Sequence, residues 1–184
     1  DHPEYFYVDG YEYVTYVNGL GETQYYLMYG KYTYSQEECE SRKAQLDEAV
    51  EDILWLAPTD EDDYEKIRYV YETIIKQTDY DLNAPDNQNI YSVLMGKASV
   101  CQGYAKTTQY LLNKLGINCS IVFGNVRDGE PHSWNIVECN DAYYFLDTTW
   151  GDASYSMNGE AASSTVAPEI SYDYLCIDSE QLNK

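Results

Sequence analysis

The stretch that decides the fold is residues 99–116, SVCQGYAKTTQYLLNKLG. Its apolar positions recur on one helical face, at Cys101, Tyr104, Ala105, Thr108, Leu111, Leu112 and Leu115. Ser99 and Gln102 form the S-x-x-Q pattern of a capping box, and Gly116 is typical of the left-handed residue that follows a helix. The pattern predicts an amphipathic helix with Cys101 in its first turn, on the buried side.

Beyond this helix the apolar period changes from the helical one to two. It predicts three consecutive strands over 119–123, 132–139 and 143–150. Asn140 and Asp141 supply a turn between the last two strands. Opposite residues of an antiparallel hairpin have a constant sum of residue numbers, and for His132 and Asp147 that sum is two less than for the turn residues. The two side chains are therefore expected on one face, adjacent or diagonal.

Turn and capping residues organise the first part of the chain. Asp9-Gly10 and Asn18-Gly19 are hairpin-type turn signals, and they predict strands over 11–17 and 23–32. Ser35 and Glu38 form a capping box for a helix that ends before Pro58. Acidic residues predict a second helix beginning at Thr59 or Asp60. Its expected inner face comprises Tyr64, Ile67, Tyr71, Ile74 and Ile75. We expect a loop over 151–168 and a last strand over 172–177.

Composition restricts the class of protein. The 184 residues, 44% of them hydrophobic, suffice for one domain with a real core. A net charge of −21 disfavours binding to nucleic acids and to anionic membranes. There is no apolar run of the roughly 18 residues that a membrane span needs. The chain opens on Asp1-His2-Pro3, which predicts that a signal peptide was removed or that the chain starts inside a longer surface protein. The 22 tyrosines, the acidity and the scarcity of lysine indicate an extracellular or cell-surface location.

Cysteine spacing argues against a metal site. The five cysteines contain no C-x-x-C pair, and there are only two histidines, so we expect no metal and no cofactor. An odd number leaves at least one thiol free or paired with another chain. A disulfide between Cys119 and Cys139 is compatible with strands expected to pair, but the redox state of these cysteines and of Cys39 and Cys176 stays open.

One set of residues carries nucleophilic chemistry. A thiol reacts as thiolate, and a helix N-terminus and an imidazolium partner both lower its pKa. Cys101 has the first feature, His132 is the internal histidine that could provide the second, and Asp147 could orient the imidazole. Each residue also has a purely structural interpretation. Cys101 could be a small core residue, His132 a strand histidine beside Trp134, and Asp147 a turn residue bonded to the backbone.

Three motifs resolve this ambiguity by resemblance. Residues 100–105 (VCQGYA), 132–135 (HSWN) and 144–150 (YFLDTTW) resemble, in that order, the C-x-G-Y-A, H-x-W-N and D-x-T-W motifs of the transglutaminase-like superfamily. The resemblance runs over about 60–152, and residues 3–8 resemble the segment that precedes this domain in secreted bacterial proteins. It implies a papain-like α+β fold, with helices packed on an antiparallel sheet and a nucleophilic cysteine at a helix N-terminus. The implied domains are a tyrosine-rich β segment over 1–34 and a transglutaminase-like domain over 35–184.

The resemblance also implies a reaction. Cys101 would attack a peptide or glutamine carboxamide, with His132 moving the proton, Asp147 orienting His132, and a thioacyl enzyme as intermediate. Water is the favoured acceptor, which makes the chain a peptidase or amidase; a lysine amine would make it a cross-linking transglutaminase. The third alternative is a catalytically silent surface binding module. The expected partner is a protein or peptide substrate of unknown identity.

The oxyanion needs donors, of which the Cys101 N–H is the first. The second donor is expected on the preceding loop, at Tyr91, Gln88 or Asn89. Further candidates for contacts with the oxyanion or the substrate are Gln102, Trp134 and Trp150.

Overall fold

The computed structural model describes residues 2–126, 129–152 and 170–182. Its helices are α1 Gln36–Trp55, α2 Asp63–Gln77, α3 Cys101–Lys114 and α4 Ser179–Leu182, with a π-helical turn at Ser92–Gly96. Its strands are β1 Val8–Val17, β2 Thr23–Tyr32, β3 Asp79–Tyr80, β4 Ala98–Ser99, β5 Cys119–Asn125, β6 Pro131–Cys139 and β7 Ala142–Leu146. None of the described helices is long and apolar enough to cross a membrane.

The sheet that follows α3 is antiparallel, with the order β5-β6-β7. Asn140 and Asp141 have φ angles of 50° and 64°, which a two-residue hairpin turn of the I′ type requires. Asn135 pairs with Leu146, so the register is the one expected from a turn centred on Asn140 and Asp141. The α+β fold class, with helices packed on an antiparallel sheet, is confirmed.

Helix α3 lies between this sheet and α2, and the core forms where they meet. Each of these three elements contributes side chains that are no more than 1% exposed. The apolar face of α3 is wide, so the sheet covers one part of it and α2 covers another. The most deeply buried among them are Ile67, Tyr71, Ile74, Tyr104, Leu111, Leu112, Val137 and Leu146. Burying α3 so fully fixes the position of its first residue, Cys101, relative to the sheet.

The start of α3 is confirmed at Cys101, but the predicted capping box is wrong. The N-cap residue is Val100, which makes no side-chain capping bond. Ser99 belongs to β4, and its hydroxyl lies 2.7 Å from both the Asn87 carbonyl and the Ser92 hydroxyl. Because tertiary contacts engage the Ser99 side chain, it does not cap the first turn of the helix.

Other boundaries differ from the expected ones for local reasons. Helix α2 begins at Asp63 because the Asp62 carboxylate accepts a hydrogen bond from the Glu65 N–H, and Tyr64 is 38% exposed instead of facing the core. Strand β7 ends at Leu146, four residues early. The last strand expected over 172–177 is a turn with one bridge, from Ile177 to Phe145. The loop expected over 151–168 lies outside the described residues from 153 onward.

The tyrosine-rich segment forms a hairpin of β1 and β2, as expected. All residues of the two strands are exposed except the partly exposed Gly10. The chain is anchored just before the hairpin by Phe6, which is 8% exposed and stacks on Tyr91 with 5.2 Å between ring centroids. The hairpin therefore adds little to the core that holds the site.

Candidate active site

Cys101 lies at the first position of α3, partly buried. The preceding loop packs tightly against this turn because Gly103 has no side chain. A Cβ there would come within 2.0 Å of the Ser99 hydroxyl and 3.0 Å of the Asn87 carbonyl. Since no side chain caps the helix, its first N–H groups remain available to a negative charge near Cys101.

His132 and Asp147 form a buried pair. His132 is 7% exposed on β6, Asp147 is 6% exposed just after β7, and 2.7 Å separates His132 Nε2 from Asp147 Oδ2. The imidazole also lies near the Cys101 thiol, since each of the two groups shifts the pKa of the other. With Nε2 directed at the carboxylate, Nδ1 is the nitrogen left for Cys101. The structure thus brings together all three residues of the predicted triad.

Asp147 has two roles in this geometry, which the sequence presented as alternatives. Its Oδ1 accepts hydrogen bonds from the backbone N–H groups of Thr149 and Trp150, both at 3.0 Å, and so closes the turn that ends β7. Its Oδ2 faces His132. Because the backbone turn fixes the carboxylate, the carboxylate in turn fixes the orientation of the imidazole.

Electrostatics favour an ion pair between Cys101 and His132. Burial alone would raise the pKa of the Cys101 thiol, but the His132 hydrogen bond and charge, with the backbone N–H groups of Ser133 and Gln102, lower it. Burial alone would lower the pKa of His132, but Asp147 and Cys101 outweigh that effect and raise it to about 9. The surroundings of Cys101 and His132 therefore favour the charged form of each group over what burial alone would give.

Two tryptophans stack on the imidazole. Trp150 stacks on the His132 ring with 4.9 Å between centroids and 17° between planes, and Trp134 stacks at 5.8 Å and 23°. Trp134 can occupy this place because residue 124 is glycine, where a Cβ would come within 2.6 Å of the indole. The rings limit the movement of the imidazole and shield its bond to Asp147 from water.

Further motif residues tie the three motifs to one another, a role the sequence analysis missed. The Asn135 side-chain amide donates to the Ala105 carbonyl of α3 at 3.0 Å. The Thr108 and Thr148 hydroxyls are also 3.0 Å apart, which links α3 to the loop after β7. Ala105, Asn135 and Thr148 belong to the quoted motifs and Thr108 lies on the predicted inner face of α3, but only the tertiary structure reveals their partners. They set the distance between Cys101 and the two other triad residues.

Comparison with known proteins identifies the family. The family model of the transglutaminase-like superfamily matches residues 56–151, just over half of the chain, and spans all three motifs. The chain belongs to the transglutaminase-like superfamily. No curated protein sequence is similar enough to match it.

Three solved structures are similar to this chain at low sequence identity, and one of them superposes with a TM-score above 0.5. A crystal structure described as a TGase superposes with a TM-score of 0.53 at 16% identity, over 71% of this chain and 37% of that one. A candidate cysteine protease from Cytophaga hutchinsonii gives 0.42 at 17% identity, over 46% and 30%. A candidate protease from Parabacteroides distasonis gives 0.45 at 12%, over 77% and 36%. This chain covers between 30% and 37% of the length of each of those proteins.

The oxyanion candidates are placed less favourably than the triad. The Tyr91 hydroxyl donates to Gln45 of α1 at 3.1 Å, so it is engaged away from the transglutaminase-like triad. Asn89 accepts from the N–H groups of Tyr91 and Ser92 and caps the turn that follows. Gln88 is exposed and Gln102 is partly buried. Of these candidates, Gln102 has the position nearest to Cys101 in the chain.

Metal ligands do not gather near the triad. Within residues 2–126, 129–152 and 170–182, no group of three His, Cys, Asp or Glu side chains is arranged to hold a metal ion.

Proposed function

We propose that this chain is a cysteine-dependent acyl-transfer enzyme that cleaves a peptide or glutamine carboxamide through a thioacyl intermediate on Cys101, with water as the acceptor. The observation that carries the proposal is the buried 2.7 Å pair of His132 and Asp147 beside a thiol of lowered pKa at the start of α3. A cysteine with only a structural role would not need a buried imidazole that is hydrogen-bonded to a carboxylate next to it.

In the first half of the reaction, the Cys101 thiolate attacks the carbonyl carbon and forms the C–S bond. The carbonyl electron pair moves to oxygen, where the Cys101 N–H at the start of α3 is placed to donate. The tetrahedral species collapses, the C–N bond breaks, and His132 gives its Nδ1 proton to the leaving nitrogen. A thioester and a free amine or ammonia result.

In the second half, neutral His132 removes a proton from water, which attacks the thioester carbonyl. The C–S bond then breaks with release of the acid, and Cys101 returns as thiolate beside the imidazolium. Asp147 keeps its negative charge throughout and holds the proton of Nε2 in place. Water needs no binding site of its own beside the thioester, whereas a lysine acceptor does, and we therefore place hydrolysis first.

Selective alkylation tests the ion pair before any substrate is known. The rate at which iodoacetamide alkylates each cysteine is measured between pH 4 and 10 by mass spectrometry. We expect Cys101 to react fast well below pH 8 and to lose that reactivity in His132→Ala, while Cys39, also partly buried, serves as the internal control. A Cys101 that reacts no faster than Cys39 below pH 8 would contradict the proposal and favour a silent binding module.

A substrate assay tests the reaction itself. Glutamine-containing proteins and peptides are incubated with the protein, and released ammonia, new peptide termini and incorporation of a labelled primary amine are recorded. Hydrolysis without amine incorporation is the expected result, and it should disappear in Cys101→Ala. Full activity of Cys101→Ala would refute the mechanism, and efficient amine incorporation would replace hydrolysis by cross-linking.

We further propose that the protein acts outside the cell or at its surface, on protein or peptide substrates. The support is compositional: 22 tyrosines, a net charge of −21 and few lysines. Localisation of the tagged full-length protein by cell fractionation tests this, and a purely cytoplasmic pool would contradict it.

A further inference from the structure

Two cysteines outside the site lie against each other. Cys139 is 5% exposed at the end of β6, Cys176 is partly buried in the segment after residue 170, and both side chains line the same small surface pocket. Both are free thiols in the structure. Nothing in the acyl-transfer mechanism uses either of them.

The backbone on both sides holds these thiols in place. Cys139 forms the last ladder pair before the β6–β7 turn, opposite Ala142. Ile177, the neighbour of Cys176, exchanges two backbone hydrogen bonds with Phe145 of β7, at 2.8 and 2.9 Å. Cys176 itself has a φ of 53°, a left-handed conformation that costs free energy for a residue with a side chain. The surrounding contacts therefore impose a strained conformation on the residue that contacts Cys139.

Small reagents can reach the pair. Both cysteines line a surface pocket of about 300 Å³ together with Tyr64, Asn140 and Tyr144. A disulfide forms when the two Cβ atoms approach to about 4 Å, so neighbouring thiols on fixed backbone need little further movement.

We propose that Cys139 and Cys176 form a disulfide by exchange with a small-molecule disulfide such as oxidised glutathione. The more exposed Cys176 attacks one glutathione sulfur as thiolate and releases the first glutathione as thiolate. Cys139, also deprotonated, then attacks the Cys176 sulfur of the mixed disulfide and releases the second. Two protein thiols are oxidised to one disulfide, and one glutathione disulfide is reduced to two thiolates, which take up through solvent the two protons that the protein thiols released.

The environment sets the rate of this exchange. Burial, with Asp63 and Asp62 nearby, raises the pKa of Cys139, and burial with the neighbouring Cys139 raises the pKa of Cys176 to about 12. Because only thiolates exchange, the reaction should accelerate as the pH rises.

The other cysteines are poorer partners. Cys119 lies opposite Val137 in the β5–β6 ladder, and burial raises its pKa to about 12, so the Cys119–Cys139 pairing compatible with the sequence is not the one the structure favours. Cys101 is engaged with His132.

The disulfide would also restrict the segment that contacts Asp147 and Trp150. The Tyr174 carbonyl accepts the Asp147 N–H at 3.0 Å, and the Tyr174 ring packs edge-on against Trp150 at 5.4 Å. A bond from Cys176 to Cys139 would close a loop that contains both Asp147 and Trp150. It would thereby hold the segment that supports the triad, and stabilise the fold by restricting the unfolded chain.

Peptide mapping tests the proposal on the full chain. The protein is equilibrated at pH 8 in glutathione buffers from fully reduced to fully oxidised, the remaining thiols are blocked with N-ethylmaleimide, and the digest is read without reduction. No Lys or Arg lies between Asp128 and Asn183, so trypsin leaves both cysteines in one peptide, and chymotrypsin is used to separate them. We expect a Cys139–Cys176 linked pair, with Cys39 and Cys119 blocked as thiols.

Thermal unfolding supplies the second readout. The melting temperature should rise by about 5–15 °C on oxidation, lose that rise in Cys176→Ser, and keep it in the control Cys39→Ser. The proposal would be overturned if N-ethylmaleimide blocks both Cys139 and Cys176 in the most oxidising buffer, or if mapping finds a Cys119–Cys139 link. Both results need only the wild-type chain. Neither outcome depends on acyl-transfer activity, so the disulfide and the proposed reaction can fail separately.

Discussion

Two antiparallel ladders of this molecule each carry an ion pair of nearly the same length. In the β1–β2 hairpin, Lys31 Nζ lies 2.8 Å from Glu12 Oε1; at the end of the β6–β7 ladder, His132 Nε2 lies 2.7 Å from Asp147 Oδ2. The side chains of the first pair are 51% and 63% exposed, and those of the second are 7% and 8% exposed. Distance is therefore not what distinguishes them.

The difference arises from what covers each ladder. Helix α3 and its neighbours pack on the three-stranded sheet and remove water from the His132–Asp147 pair, whereas both faces of the hairpin remain in solvent. A charge interaction is several times stronger in the protein interior than in water, and the cost of leaving one partner alone rises with it. Ion pairs of similar length thus give a weak surface contact in one ladder and a strong constraint on side-chain orientation in the other.

The largest expected effect comes from replacing the carboxylate of the buried pair by an amide. In Asp147→Asn, the amide would donate to Nε2, which forces the imidazole proton onto Nδ1 and leaves no base for the Cys101 thiol. We expect the rate of hydrolysis, or of Cys101 alkylation at pH 6, to fall by about 10²–10⁴.

The matched change in the hairpin is Glu12→Gln. It should leave the rate unchanged and alter the free energy of unfolding by less than about 0.5 kcal/mol. Comparable rates for Asp147→Asn and Glu12→Gln would remove the distinction between the two ladders.

A leucine in each ladder tests the same contrast through packing. Leu146 of β7 is 0% exposed, and Leu27 of β2 is 39% exposed. Leu146→Ala should lower the free energy of unfolding by about 2–5 kcal/mol, because it leaves a cavity between the sheet and the core. Leu27→Ala should lower it by less than about 1 kcal/mol. Urea unfolding followed by tryptophan fluorescence measures both, and equal losses would show that the hairpin is packed more firmly than its exposure indicates.

The pH dependence of kcat/KM is a smaller expected effect, at most tenfold per pH unit, and it depends on the buried pair. The pKa of His132 is raised to about 9, so its proton is present for the leaving amine up to that pH. The profile of kcat/KM should rise as the pH passes the lowered pKa of Cys101, and fall through about pH 9. A decline that begins near pH 6.5 instead would mean that Asp147 does not hold the imidazolium.

The free energy of unfolding should also decrease as the pH rises toward 9, because it depends on the same histidine. His132 has a folded pKa above its unfolded value of 6.5, so its contribution is fully present below about pH 6.5 and is lost as the pH rises through about 9. In His132→Gln this loss of stability between pH 6.5 and 9 should disappear. Thermal unfolding across that range measures it, and an unchanged slope in the variant would assign the effect to other groups.

Local signals in the sequence were sufficient for the register of the site. Asn140 and Asp141 fix the hairpin turn, and because side chains alternate along strands, the turn determines that His132 and Asp147 share a face. The period of three to four in 101–115 likewise predicts a helix with Cys101 in its first turn and on its buried side. Such features depend on neighbours within a few residues, which the sequence displays.

Features that depend on distant partners were not predictable in this way. The hydroxyl of Ser99 bonds Asn87 and Ser92 instead of capping α3, and the side chains of Tyr91 and Asn89 point to other partners than the oxyanion. Likewise, no pattern in the sequence indicates that Cys176 lies against Cys139. In each case a choice among several satisfactory hydrogen bonds or contacts is made by the packing of the whole domain.

Removing the hairpin altogether should also have only a small effect. Val8 pairs with Tyr32, so the chain ends left by deleting residues 10–31 are adjacent and a Gly-Gly link can join them. Phe6, which fixes the chain to the core at Tyr91, is retained. We expect the free energy of unfolding to change by less than about 1 kcal/mol and Cys101 alkylation to keep its pH profile, because an isolated two-stranded hairpin is itself only marginally stable. In the control Phe6→Ala, the loss should reach about 3 kcal/mol or more, since a buried aromatic ring is removed. If the deletion instead costs as much as Phe6→Ala, the exposed aromatic faces of β1 and β2 would have to support the domain, and exposure would no longer explain the contrast between the ladders.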